Sequence, residues 1–175
     1  GQTVVGPIIT AILFLLVISL AIGENRSDVL GVSFIEFLAP GLIAMQVIQQ
    51  SFSHSSSSLL MGKVMGNIVD IIGAPLSALE VTFAIIFAAV TRSLVIAIIS
   101  VAVFSIIIDI EFYSIFHIFI FGFLSSFILG SLGFITGLWA EKFDHTATIT
   151  NFVITPLSFL SGVFYSIDRL PIIFK

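Results

Sequence analysis

Residues 3–22 read TVVGPIITAILFLLVISLAI, an unbroken stretch without Asp, Glu, Lys or Arg. A helix needs about 20 apolar residues to cross roughly 30 Å of hydrocarbon, and similar runs recur at 34–52, 79–108, 112–140 and 147–165. In lipid the backbone must satisfy its own hydrogen bonds, so only helices and closed barrels span. Long continuous apolar runs are not the short alternating segments of a barrel. The expected fold is therefore all-α, a polytopic helical membrane protein with five spans. Composition agrees: 9% of the residues are charged, against about 25% in a soluble domain, too few to cover a wet surface.

The run at 79–108 exceeds a perpendicular crossing, so it tilts or projects beyond the bilayer. The run at 34–52 carries Pro40 and Gly41, placed in its first turns, where a missing N–H costs least. The chain opens on Gly1 and stops at RLPIIFK, so it reads as a single membrane domain, 1–175, truncated at both ends. Its first run is too long for a signal-peptide core and lacks the basic start and small-residue cleavage site. The tail SIDRLPIIFK, interrupted by Asp168, Arg169 and Pro171, reads as interfacial or re-entrant rather than a further crossing. With no Cys there is no disulfide, thiolate metal site or catalytic thiol. Six unclustered Lys and Arg argue against nucleic acid. Five crossings put Lys63 and Lys142 on one side and Arg26, Arg169 and Lys175 on the other, so charge does not orient the chain.

One passage, HSSSSLLMGKVMGNIVDIIGAPLSALE at 54–80, is half polar. Leu60, Met61, Val64, Met65, Ile68, Ile71 and Ile72 recur at helical spacing, with Lys63, Asn67 and Asp70 opposite. The expectation is one amphipathic helix over 59–73, capped by Ser57 or Ser58 and stopped by Gly73 and Pro75. It lies on the lipid surface or docks a cytosolic partner. GKVMGN is not a phosphate loop, because Ser57 and Val64 stand where a Walker A needs Gly and Ser or Thr. His54 and Ser55 to Ser58 read as the wet end of a membrane helix.

Gly122, Ser126 and Gly130 are spaced by four, as are Gly133 and Gly137. Small residues at that interval let helix backbones approach in lipid, so the fourth span is expected to be the most buried. Glu80 and Arg92 are intramembrane or interfacial charges and thus functional candidates. Twelve residues apart, they are separated by roughly 18 Å on one helix. Arg92 then needs a partner on another helix, a lipid phosphate or a water-filled cavity, unless it snorkels to the interface. His117 reads as a packing residue and His145 as a turn cap rather than a metal ligand beside Asp144 and Glu141. No hydrolase-like set of Ser, His and carboxylate stands out, and no catalytic or metal site is expected.

FIEFLAPGLIAMQVI at 34–48, GKVMGNIVDIIGAPLSALE at 62–80 and ITPLSFLSGVFYSIDRLP at 154–171 follow in order along the chain. Together they resemble the permease subunit of type-2 ATP-binding-cassette exporters. The last block, with Pro156, Gly162, Phe164, Tyr165 and Pro171, is the most specific, and the Pro40-Gly41 opening supports it. The resemblance implies a six-span subunit with an amphipathic helix before its first span, in a bacterial inner membrane. It implies a homodimer or heterodimer of permeases with separate ATPase subunits that bind ATP and Mg, so that this chain holds no cofactor. It puts 54–80 in the cytoplasm, as a coupling helix pushed by the ATPase, and 166–175 outside, as the start of a re-entrant segment. Lys63, Asn67 and Asp70 are then the polar contacts to the ATPase, while the apolar stripe holds the helix to the bundle. The implied cargo is an amphiphile, a drug-like compound or a lipid-linked glycan. An ion-coupled secondary transporter is the rival, but the mid-span regions hold no acid to couple ions. A non-transporting assembly protein fits the small-residue packing equally well.

Overall fold

The computed structural model describes residues 2–22, 32–108 and 114–160. Among them the elements are seven α-helices and one π-helical stretch: α1 (Gln2–Ile22), α2 (Phe34–Met65), α3 (Ile68–Gly73), α4 (Ala78–Ile107), α5 (Ile115–Trp139), α6 (Phe143–Ile149), the π stretch Thr150–Ile154 and α7 (Thr155–Leu160). α4 and α5 are each long and apolar enough to cross a membrane.

α2 is 32 residues long, about 48 Å at the usual rise. Both of its ends are encoded locally. At the start, the Ser33 hydroxyl accepts from the Glu36 N–H at 3.4 Å, and the Ser33 N–H donates to Glu36 Oε2 at 3.2 Å. This is a capping box, which satisfies two otherwise orphaned donors. At the end, Gly66 takes φ 79°, and its N–H donates to the Lys63 carbonyl. A left-handed residue closes a helix in this way, and glycine adopts it without a Cβ clash. The expected single helix over 59–73 is thus two pieces: the last turns of α2 and the short α3, broken at Gly66. Ser57 and Ser58 lie inside α2 and cap nothing.

The serine run is only partly a wet end, since Ser58 is exposed and Ser57 half-buried. Ser51, Ser55 and Ser56 are buried, and the Ser56 hydroxyl donates back to the Phe52 carbonyl at 2.9 Å. A serine that bonds one turn back tolerates a helical interior. Pro40 lies in the early turns of α2, where the run at 34–52 puts it. It stands seven residues into α2, past the first turn, so Glu36 loses the donor that an ordinary residue at 40 supplies to its carbonyl.

α2, rather than α5, is the central helix. Its first half packs with α1 and α4 in an apolar cluster of Phe34, Leu38, Ala39, Leu42, Ile43, Ala11, Leu15 and Phe104. Its second half packs on α4 and α5 through small residues. A methyl group at Gly133 would collide with the Phe52 carbonyl oxygen, and one at Gly137 would stand 2.8 Å from the Ser56 carbonyl oxygen. At Gly130 it would lie 2.9 Å from Ser51 Oγ, whereas at Gly122 its nearest neighbour is Leu94 at an ordinary 3.7 Å. α5 buries this glycine stripe and turns Phe116, Phe119, Phe121, Ile128 and Ile135 outward. One small-residue face therefore places a helix beside the centre, not in it.

The fifth expected span appears as α6, the π stretch and α7, one helical path from Phe143 to Leu160. Pro156 explains the π stretch. It has no N–H for the Phe152 carbonyl, and a wider turn just before a proline absorbs that loss. Gly162, Phe164, Tyr165, Pro171 and the 166–175 segment lie outside the described residues.

Candidate functional site

A polar seam runs down α2, level by level. Near the middle, Gln46 bridges three helices: its Nε2 donates to the Pro7 carbonyl at 2.5 Å, and its Oε1 accepts from Ser100 Oγ at 3.0 Å. Below it, Ser51 Oγ donates to the Ser126 carbonyl at 2.6 Å, and Ser93 and Ser126 share a hydroxyl contact of 2.9 Å. Lower again, Arg92 Nη1 and His54 Nδ1 stand 2.9 Å apart. Paired residues on α2 and α4 move in opposite directions along the sequence, so the two helices are antiparallel. α5 runs with α2. Of the partners the sequence left open for Arg92, the structure supplies one on another helix, His54.

At the foot of this seam α2 ends against the end of α5. Lys63 Nζ donates to the carbonyl oxygens of Gly137 at 2.8 Å and Ala140 at 3.1 Å, and also to that of Leu138. These are among the last carbonyls of α5, which lack helical donors, and a cation there is favoured by the helix dipole. Lys63 reaches them because Gly133 and Gly137 bring the two backbones together. Beside this junction the Ala140 N–H donates to the Thr136 carbonyl, and His145 packs on Trp139 with ring centroids 5.2 Å apart and planes tilted by 33° while accepting from the Glu141 N–H at 3.4 Å. The turns after α2 and after α5 therefore share one end of the bundle.

The other passage residues are arranged differently. Asn67 precedes α3 without a side-chain capping bond, and Asp70 stands in its first turn; both are exposed. The apolar stripe does not hold this segment to the bundle: Leu60 is buried, but Val64 is 57% exposed, Met65 63% and Ile72 76%. The break at Gly66 turns α3 off the line of Leu60, and ahead of it Val64 and Met65 are already exposed within α2. Glu80, read as an intramembrane or interfacial charge, has a local partner at the helix start. Its carboxylate accepts from the Ser77 N–H at 2.7 Å and the Ser77 hydroxyl at 2.8 Å, closing a second capping box at the start of α4. His117 bonds Ser114 Oγ at 2.8 Å on an exposed turn. Among the described residues no His, Cys, Asp and Glu gather as a metal cluster.

Several of these features have a sequence signal. The Ser-x-x-Glu patterns at 33–36 and 77–80 mark the capping boxes. Ser51 and Ser55, one helical turn apart, match the α5 stripe in both size and spacing. The turn of Lys63 onto α5 has no local signal, because it depends on where two distant helices end.

The whole chain, residues 1–175, matches the family described as ABC-2 type transporter. The inner membrane transport permease YadH of Escherichia coli (strain K12) is 31% identical over 170 residues, covering 97% of this chain and 66% of that permease. YadH of Shigella flexneri gives the same identity and coverage. The chain thus spans about two thirds of the length of the curated relatives it matches. No solved structure matches it. Helices of this length and apolarity, braced by a buried polar seam and matched from end to end by one family, make the chain a polytopic helical membrane protein that belongs to the ABC-2 type transporters.

Proposed function

We propose that this chain is the membrane-spanning subunit of an ATP-driven exporter in a bacterial inner membrane, paired with a second permease copy and driven by separate ATPase subunits that bind ATP and Mg. Its cargo is an amphiphile, a drug-like compound or a lipid-linked glycan. The observation that carries the mechanism is the seat of Lys63 on the Gly137 and Ala140 carbonyls. Because of it, a push on α3 reaches α5 as well as α2 and α4. Asn67 and Asp70, exposed at the same end, take the ATPase contacts, and Lys63 becomes the internal link rather than a docking residue. Closure of the ATPases then displaces α3 and tilts the helices behind it, a rigid-body route to alternating access.

Ion coupling is disfavoured by a specific observation. Glu36 and Glu80, the acids of α2 and α4, each close a capping box at a helix start. The test uses the full-length permease with its ATPase. Asp70→Lys together with Asn67→Arg is expected to reduce ATPase co-purification at least fivefold. Lys63→Met is expected to leave co-purification intact and lower transport. Full ATPase recovery with the double variant would overturn the docking assignment.

A further inference from the structure

Between α1 and α2 lies a cleft of about 290 Å³, walled by Phe14 and Met45 and edged by Gln46, Gln49 and Gln50. Three of the four glutamines in the sequence line it. Gln49 and Gln50 are the two middle residues of α2 as bounded by Phe34–Met65, so they stand far from either helix end. An amide left unpaired beside apolar walls is costly.

Gln46 is the one amide of the three held by protein at both ends, with Pro7 and Ser100 as its partners. Gln49 and Gln50 make no hydrogen bond to another described residue. Both are only partly exposed. They offer donors and acceptors of neutral charge into a cavity that no Asp, Glu, Lys or Arg lines. At about 290 Å³ the volume falls just short of the roughly 300–1,000 Å³ of small-molecule sites, room for a head group.

We propose that the α1/α2 cleft within one protomer binds an uncharged, hydrogen-bonding amphiphile, its hydroxyl- or amide-bearing head on Gln49 and Gln50 and its apolar part on Phe14 and Met45. This deepens the exporter reading by naming the chemistry of the cargo, and it rests on that reading for its role in transport. Binding itself needs no ATPase, so the two stand or fall by different readouts.

The test uses the full-length permease in lipid nanodiscs with a photoactivatable alkyl glucoside. Labelling is expected on the peptides carrying Phe14 and Met45. Unlabelled alkyl glucoside should compete at least tenfold better than an alkyl trimethylammonium of equal chain length. Gln49→Leu with Gln50→Leu should cut labelling at least fivefold. As leucine is at home in a membrane helix, monodisperse elution checks the fold. Gln50→Glu supplies a gain of function, shifting preference toward the trimethylammonium probe. Equal competition by both head groups, labelling insensitive to the leucine pair, or quantitative cross-linking of Gln50→Cys to a second copy would overturn the site. A protein that binds the glucoside normally but recruits no ATPase would instead leave the site standing and remove the exporter reading.

Discussion

The two halves of α2 are held by different means. From Phe34 to Ile43 it packs through large apolar side chains onto α1 and Phe104. From Ser51 to Leu60 it packs through serines against glycines, with hydroxyls bonded across helices. In water the first half would be the stronger, because hydrophobic burial dominates there. In lipid that drive between helices disappears, and close packing and interhelical hydrogen bonds decide association. The polar half is therefore the more demanding of the two, since its helices approach so closely that each position admits few side chains.

Substitutions sharpen this contrast. Gly133→Leu is expected to have the largest effect, abolishing monodisperse protein, because even a methyl group there meets the Phe52 backbone. Should Gly133→Leu elute and unfold as the parent does, the close approach of α2 and α5 would be wrong. Leu38→Ala, in the apolar half, removes a fully buried side chain. Such truncations cost about 2–5 kcal/mol in soluble cores. With lipid replacing water as the alternative, the cavity component remains, and a loss near the lower end of that range is expected by denaturant titration in detergent. Ser33→Ala opens the capping box of α2 and is expected to cost about 1 kcal/mol, read in the same titration. Gly122→Ala is the smallest, within about 0.5 kcal/mol of the parent, because 3.7 Å to Leu94 leaves room. A ranking with Gly133→Leu above Leu38→Ala in stability would break the distinction between the two halves.

Much of this was legible in residues, and the rest was hidden for identifiable reasons. Helical class and the positions of the apolar runs follow from length and apolarity, and α4 and α5 fall close to the runs at 79–108 and 112–140. The serine run misled at Ser55 and Ser56 because serine suits both a wet loop and a back-bonded helix; only the neighbouring glycines of α5 show which. The passage at 59–73 has true helical periodicity, yet one residue at φ 79° divides it, and periodicity is blind to a single left-handed residue. Lys63 shows what local pattern cannot supply. It lies on the polar stripe as expected, but what it faces is the end of α5, 74 to 77 residues away. Asn67 and Asp70, past the break, keep the outward position that the pattern suggested.

On the exporter reading, Lys63 makes the end of α2 and the end of α5 move as one body. Spin labels at Met61→Cys and Leu132→Cys, both exposed, in the full-length permease bound to its ATPase, test it directly through their separation with and without a non-hydrolysable ATP analogue. The expected result is an unchanged distance in the parent and a change of several ångströms once Lys63→Met is added. A parent distance that shifts on nucleotide binding as much as the Lys63→Met distance does would contradict it.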